Sequence, residues 1–200
     1  MGDEGLVSMT VKVVSGTRSR LETVVAHHRA VRLGLARDAR WAVGGLNRRK
    51  ADAVRARWRA EVVKLRAQGQ LLDTVDSFVL HAVCHELGVR EWSLEWSPAQ
   101  GGMGRWPGAR DGGYPEALSF RLPVKVARQV RVGCWSVSAE AVGALRDWRD
   151  RYPGVVTTRA GRDSEAVEAL AEYERWANQV VTVGNFLRAA LEWGLTRQDV

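Results

Sequence analysis

The chain has 200 residues, 46% of them apolar and 26% charged, with a net charge of +7. That is enough for one or two domains with a sizeable core, and it excludes a disordered chain. No apolar run approaches the ~18 residues of a membrane span, the acidic start at Asp3 and Glu4 is unlike a signal peptide, and Cys84 and Cys134 make neither a disulfide framework nor a four-cysteine zinc site.

A cytoplasmic protein with no membrane partner is the expectation, and its charge is concentrated. Residues 1–90 hold 16 basic and 9 acidic residues, whereas residues 91–200 hold 14 of each. Residues 29–66 alone hold 12 basic residues against Asp38, Asp52 and Glu61. A single-sign concentration of this kind suits a polyanion, because each neutralised phosphate releases condensed counterions. Arginine outnumbers lysine 26 to 4, a compositional bias that also fits a plain solvated face.

In chain order, residues 9–14 (MTVKVV) are rich in β-branched side chains and stop at Ser15-Gly16, which predicts a strand and a turn. Ser19 is placed to cap a helix with Leu21, Val24, Val25 and Val31 on its apolar positions. Gly44-Gly45 interrupts the pattern. Asn47 is placed to cap a second helix over about 48–68, with a stripe of Val54, Trp58, Val62 and Leu65. Arg48, Arg49, Arg55, Arg59 and Arg66 lie mostly off that stripe, so the cluster faces outward. Asp73 or Thr74 caps a third helix that reaches Leu87, with Gly88 as its stop.

The middle of the chain changes character. Residues 91–97 (EWSLEWS) alternate, which predicts a half-buried strand. Residues 100–115 are rich in glycine and read as a loop, with Arg105, Trp106 and Arg110 available to a nucleic acid. Phe120, Leu122, Val124 and Val126 alternate with Arg121 and Lys125 in a further strand. Val130 and Val132 around Arg131 suggest another. Three helices follow: one from Ser138 through Trp148, one from Asp163 or Ser164, and one from Thr182 to Trp193, stopped by Gly194. The organisation expected is a basic, mainly helical half at 1–90, a strand and loop at 91–117, and strands then helices at 118–200, the three merging into one domain as an alternative.

Two segments match: TVDSFVLHAVCHEL at 74–87 and TVGNFLRAALEWGL at 182–195, with five of fourteen positions identical. Upstream, VKV at 11–13 and VRV at 130–132 stand at the same distance from Ser19 and Ser138. TVGNFLRAALEWGL resembles the second helix of ribbon-helix-helix DNA-binding proteins. That resemblance implies two strand-helix-helix halves whose strands, at about 9–14 and 129–134, pair into a ribbon that enters the major groove. Thr10, Lys12, Gln129 and Arg131 would point outward, and Thr74 and Thr182 would hold phosphates at helix N-termini. Each half is longer than the family's compact unit.

Enzyme motifs are lacking. His81, Cys84 and His85 share a helix face but lack a fourth metal ligand. The glycine-rich stretch lacks the Lys-Ser/Thr of a nucleotide loop. Neither a metal nor a cofactor is expected. The fold class is α+β, mostly helical with a small antiparallel sheet and two ribbon-helix-helix-like halves. The expected function is DNA binding by a non-enzyme, a transcriptional regulator or a recombination accessory factor. Its site residues are Lys12, Arg48, Arg49, Lys50, Arg55, Arg59, Thr74, Arg131 and Thr182. The alternative is a protein-interaction module that occludes a nucleic-acid-binding site. A protein partner and a homodimer are both compatible with the sequence.

Overall fold

A computed structural model describes residues 5–92, 113–153 and 164–198. Its elements run β1 (Leu6–Val13), α1 (Thr17–Ala36), a 3-10 turn at Ala39–Trp41, α2 (Arg48–Ala67), α3 (Val75–Val89), β2 (Glu116–Pro123), α4 (Val124–Arg151), α5 (Ser164–Ala177) and α6 (Val183–Gln198). The fold is α+β and mostly helical, and the described residues form a small two-stranded antiparallel sheet.

Strand alternation builds that sheet. Met9, Val11 and Val13 of β1 and Leu118, Phe120 and Leu122 of β2 turn inward and are buried. Ser8, Thr10 and Lys12, with Ala117, Ser119 and Arg121, turn outward and are exposed. A one-residue slip would send every apolar side chain to solvent, so the inner face sets the register. The register pairs Met9 with Phe120, Thr10 with Ser119 and Lys12 with Ala117. Thr10 and Ser119 also share a 3.0 Å hydroxyl hydrogen bond at the middle of the outer face.

Helices α3 and α6 pack against each other beneath the ribbon, more extensively than any other helix pair. Phe78 and Phe186, Ala82 and Ala190, and Leu87 and Leu195 are all buried. These are the matched positions of the two similar segments, now facing one core. The same core takes Leu21, Val24 and Val25 from α1 and Ala127, Val130 and Cys134 from α4. A second, smaller cluster lies where the far end of α4 meets α5, around Ala141, Val142, Leu145 and Val180. Ser138 joins the two regions: its hydroxyl accepts the Val181 amide at 2.9 Å.

Several expectations change. The segment at 129–134 is not a strand. It lies inside α4, so Gln129 and Arg131 are helical residues, and Arg131 is half-buried. The reason is periodicity: Ala127, Val130 and Cys134 recur at helical spacing and enter the core together. The strand expected around 120–126 instead begins at Glu116 and ends at Pro123. Pro123 lacks an N–H to continue the ladder and stands as the N-cap of α4. The helix expected from Ser138 therefore begins at Val124. Gly194 does not stop the last helix, which runs to Gln198, and the third helix passes Gly88 to end at Val89. Val31 is exposed on α1. The strand expected at 91–97 lies outside the described residues except for its first two, and so do Arg105, Trp106 and Arg110.

Candidate nucleic-acid interface

The ribbon's outer face is small and polar. Lys12 and Arg121 hold matching places on it, each two residues beyond the central Thr10–Ser119 pair on its own strand. Their surroundings differ. The Lys12 ammonium has no hydrogen-bond or ion-pair partner among the described residues; its backbone carbonyl accepts Arg188 Nη1 at 3.1 Å. Arg121 is engaged by Asp76 on the first turn of α3. Asp76 Oδ1 accepts the Arg121 backbone N–H at 2.9 Å, and Oδ2 accepts Arg121 Nε at 2.9 Å.

The ends of the ribbon meet helix starts. Glu116, the first residue of β2, accepts the Gly16 amide at 2.8 Å and the Arg18 amide at 3.2 Å. These two amides hold the Glu116 carboxyl below its ordinary range. Gly16 adopts φ 86°, a left-handed turn that glycine makes without steric cost, and it lets β1 turn into α1. Thr74 and Thr182 are the matched N-terminal threonines of α3 and α6. Thr74 Oγ1 accepts the Ser77 amide at 3.0 Å, and Thr182 Oγ1 accepts the Asn185 amide at 3.0 Å. Both hydroxyls are thus helix caps. The N–H groups between them and the capped amides, at Val75 and Asp76 and at Val183 and Gly184, start their helices and have no intrahelical acceptor.

The basic helix α2 is held by one buried carboxylate. Asp73 is 1% exposed. Its Oδ1 accepts Arg66 Nε at 2.7 Å, and its Oδ2 accepts Arg66 Nη2 at 3.0 Å and Arg32 Nη1 at 2.7 Å. Its backbone carbonyl accepts Arg29 Nε at 3.1 Å. Burial pushes the Asp73 carboxyl up, but the Arg66 and Arg32 guanidiniums outweigh this and hold it below its ordinary value. So Arg29, Arg32 and Arg66, counted in the basic cluster, serve this clamp. Arg48, Arg49, Lys50, Arg55, Arg57, Arg59 and Lys64 remain exposed on α2. Of these, Arg55 pairs with Asp52 at 2.9 Å. Asn47 caps the helix as expected, accepting the Lys50 amide at 3.0 Å.

His81, Cys84 and His85 do not converge. The His85 ring lies flat on Trp193, with centroids 3.5 Å apart and an interplanar angle of 9°. His81 packs over Gly69. Among the described residues no group of three or more His, Cys, Asp or Glu is arranged to hold a metal ion. No described helix is long and apolar enough to cross a membrane.

The structure thus brings Lys12 to the ribbon, Thr74 and Thr182 to helix starts beside it, and Arg48, Arg49, Lys50, Arg55 and Arg59 to one solvated helix. It takes Arg131 away and puts Arg121 on the ribbon instead. The signal for Arg121 was present in EALSFRLP, whose alternation runs unbroken into Pro123. No family profile, curated protein or solved structure matches the chain.

Proposed function

We propose that this chain binds duplex DNA in the cytoplasm, as a transcriptional regulator or a recombination accessory factor. The observation that carries the reading is the ribbon: two strands from opposite halves of the chain expose a short polar face, on which the Lys12 ammonium has no partner among the described residues. A two-stranded ribbon matches the width of the major groove, where a lysine can donate to guanine O6 and N7. In this reading Lys12, Thr10 and Ser119 face base edges. The starts of α3 and α6 flank the ribbon, as the ribbon-helix-helix resemblance implies, and their free amides are suited to phosphate oxygens. Helix α2 supplies sequence-independent attraction through its exposed arginines and lysines.

A gel shift of genomic and random duplexes over a salt series tests the reading. Binding that weakens steeply as salt rises, with some sequences held more tightly than random DNA, is the expected result. No binding at low salt would overturn it.

A further inference from the structure

We propose that Asp76 makes the ribbon one-sided: it holds Arg121 away from base edges, so the Lys12 end carries the sequence preference and the preferred duplex is not a palindrome. This rests on the DNA-binding reading of the ribbon. The two strands are arranged so that Lys12 and Arg121 are counterparts about the Thr10–Ser119 pair. Two equal cations at those places would read two equal half-sites. They are not equal here.

Asp76 grips Arg121 at three atoms. The Nε and Nη2 groups lie 2.9 and 2.8 Å from Oδ2, and the backbone N–H lies 2.9 Å from Oδ1. For the guanidinium to turn to a guanine, both side-chain contacts must break, and the Asp76 carboxylate is then left beside the DNA backbone. That carboxylate sits on the first turn of α3, where the helix dipole favours it. In the matched segment TVGNFL the same step is Gly184, and α6 has no acidic residue in its first turn. A phosphate approaching the start of α3 therefore meets a negative charge, whereas one approaching α6 does not. Both differences act in the same direction, favouring the end of the duplex beside Lys12 and α6.

The test uses the full chain and fluorescein-labelled duplexes. Wild-type protein first selects duplexes from a randomised pool, and anisotropy then measures binding of the selected and random sequences. The selected sequence is expected to lack two-fold symmetry. Lys12→Ala should weaken its binding about tenfold or more, in the range of a lost base contact. Arg121→Ala should change it less than about twofold. Asp76→Gly, which copies the other half, should tighten binding severalfold and make Arg121→Ala as costly as Lys12→Ala. Asp76→Asn, which keeps the side-chain shape, should move both quantities in the same direction. A palindromic selected site, or equal losses for Lys12→Ala and Arg121→Ala in the wild-type background, would overturn the proposal and leave DNA binding standing. So would Asp76 variants that change neither affinity nor the cost of Arg121→Ala. Failure of the wild-type protein to select any duplex would overturn the DNA-binding reading itself.

Discussion

Gly194 of α6 lies directly against the ring of Phe78 in α3. A Cβ added there would come within 2.8 Å of Phe78 Cζ and 3.3 Å of the Ala82 Cβ. The absence of a side chain is what lets the two central helices approach. Gly194→Ala should therefore destabilise the fold. Overpacking of about 1–3 kcal/mol exceeds the gain of about 1 kcal/mol in helix propensity. Combining it with Phe78→Leu should cost less than the two single changes added together, because the pair is in contact. Chemical denaturation of the three variants measures this, and strict additivity would contradict the contact.

Phe186, the counterpart of Phe78, is fully buried and stacks on Trp92 with centroids 5.1 Å apart. Phe186→Ala should cost roughly 3–5 kcal/mol through lost burial and the cavity left behind. Phe78→Ala should fall in the same range. A melting temperature close to that of the parent would show that the two helices do not pack through these faces.

Asp73 has a pH signature. Its carboxyl titrates lower in the folded chain than in the unfolded one, where it keeps the ordinary value of 3.8. The stabilisation it contributes is complete above that value and is lost as pH falls through the folded one. Asp73→Asn should cost about 2–4 kcal/mol near neutral pH, since it removes a buried charge from two guanidiniums that are themselves partly hydrated. Wild-type and variant melting curves should converge in acid. A gap that closes while the pH is still above ~4 would count against the clamp.

The exposed cations of α2 predict a uniform effect on DNA. Replacing Arg48, Arg49 and Lys50 with alanine should weaken selected and random duplexes alike. The salt slope should fall by up to about 3, nearly one for each lost phosphate contact. A loss confined to selected DNA would make these residues sequence readers instead.

The two thiols should differ in reactivity. Cys134 is buried in the main core, and burial pushes its thiol up to about 12. Cys84 is exposed on α3, and partial burial of its thiol pushes it up as well, though less than at Cys134. At about pH 8, where an ordinary thiol is partly ionised, a disulfide reagent should titrate Cys84 in the folded protein. Cys134 should react only after denaturant is added. Two equally fast thiols in the folded state would contradict the core assignment.

Local signals account for what the sequence made legible. Asn47 and the Val54–Trp58–Val62 spacing placed α2 almost to the residue, because caps and helical periodicity act within a few positions. The β-branched run ending at Ser15-Gly16 placed the end of β1 within a residue, while its start at Leu6 lies three residues before the expected Met9. The segment VARQVRV misled because its valines favour a pleated surface, yet β propensity is largely a matter of packing context. The core of α1, α3 and α6 was already waiting for a third-and-fourth-residue stripe there. Gly194 read as a stop because its partner, Phe78, is far away in the chain. The Asp76–Arg121 pair left no local trace either: the two residues are 45 positions apart, and their meeting depends on how β2 lies over α3.

The ribbon joins residues 109 positions apart, and this orders events during synthesis. At about 5–20 residues per second, β1 emerges on the order of 5–20 s before its partner strand. Closing so long a loop carries an entropic term of about 4 kcal/mol, met only when β2 and α6 arrive to cover the strand. Until then the nascent chain presents an unpaired hydrophobic edge, the feature that recruits other strands. Ribosome-bound chains halted before Glu116 should therefore be the aggregation-prone species, and chaperone dependence should fall sharply once α6 has been made.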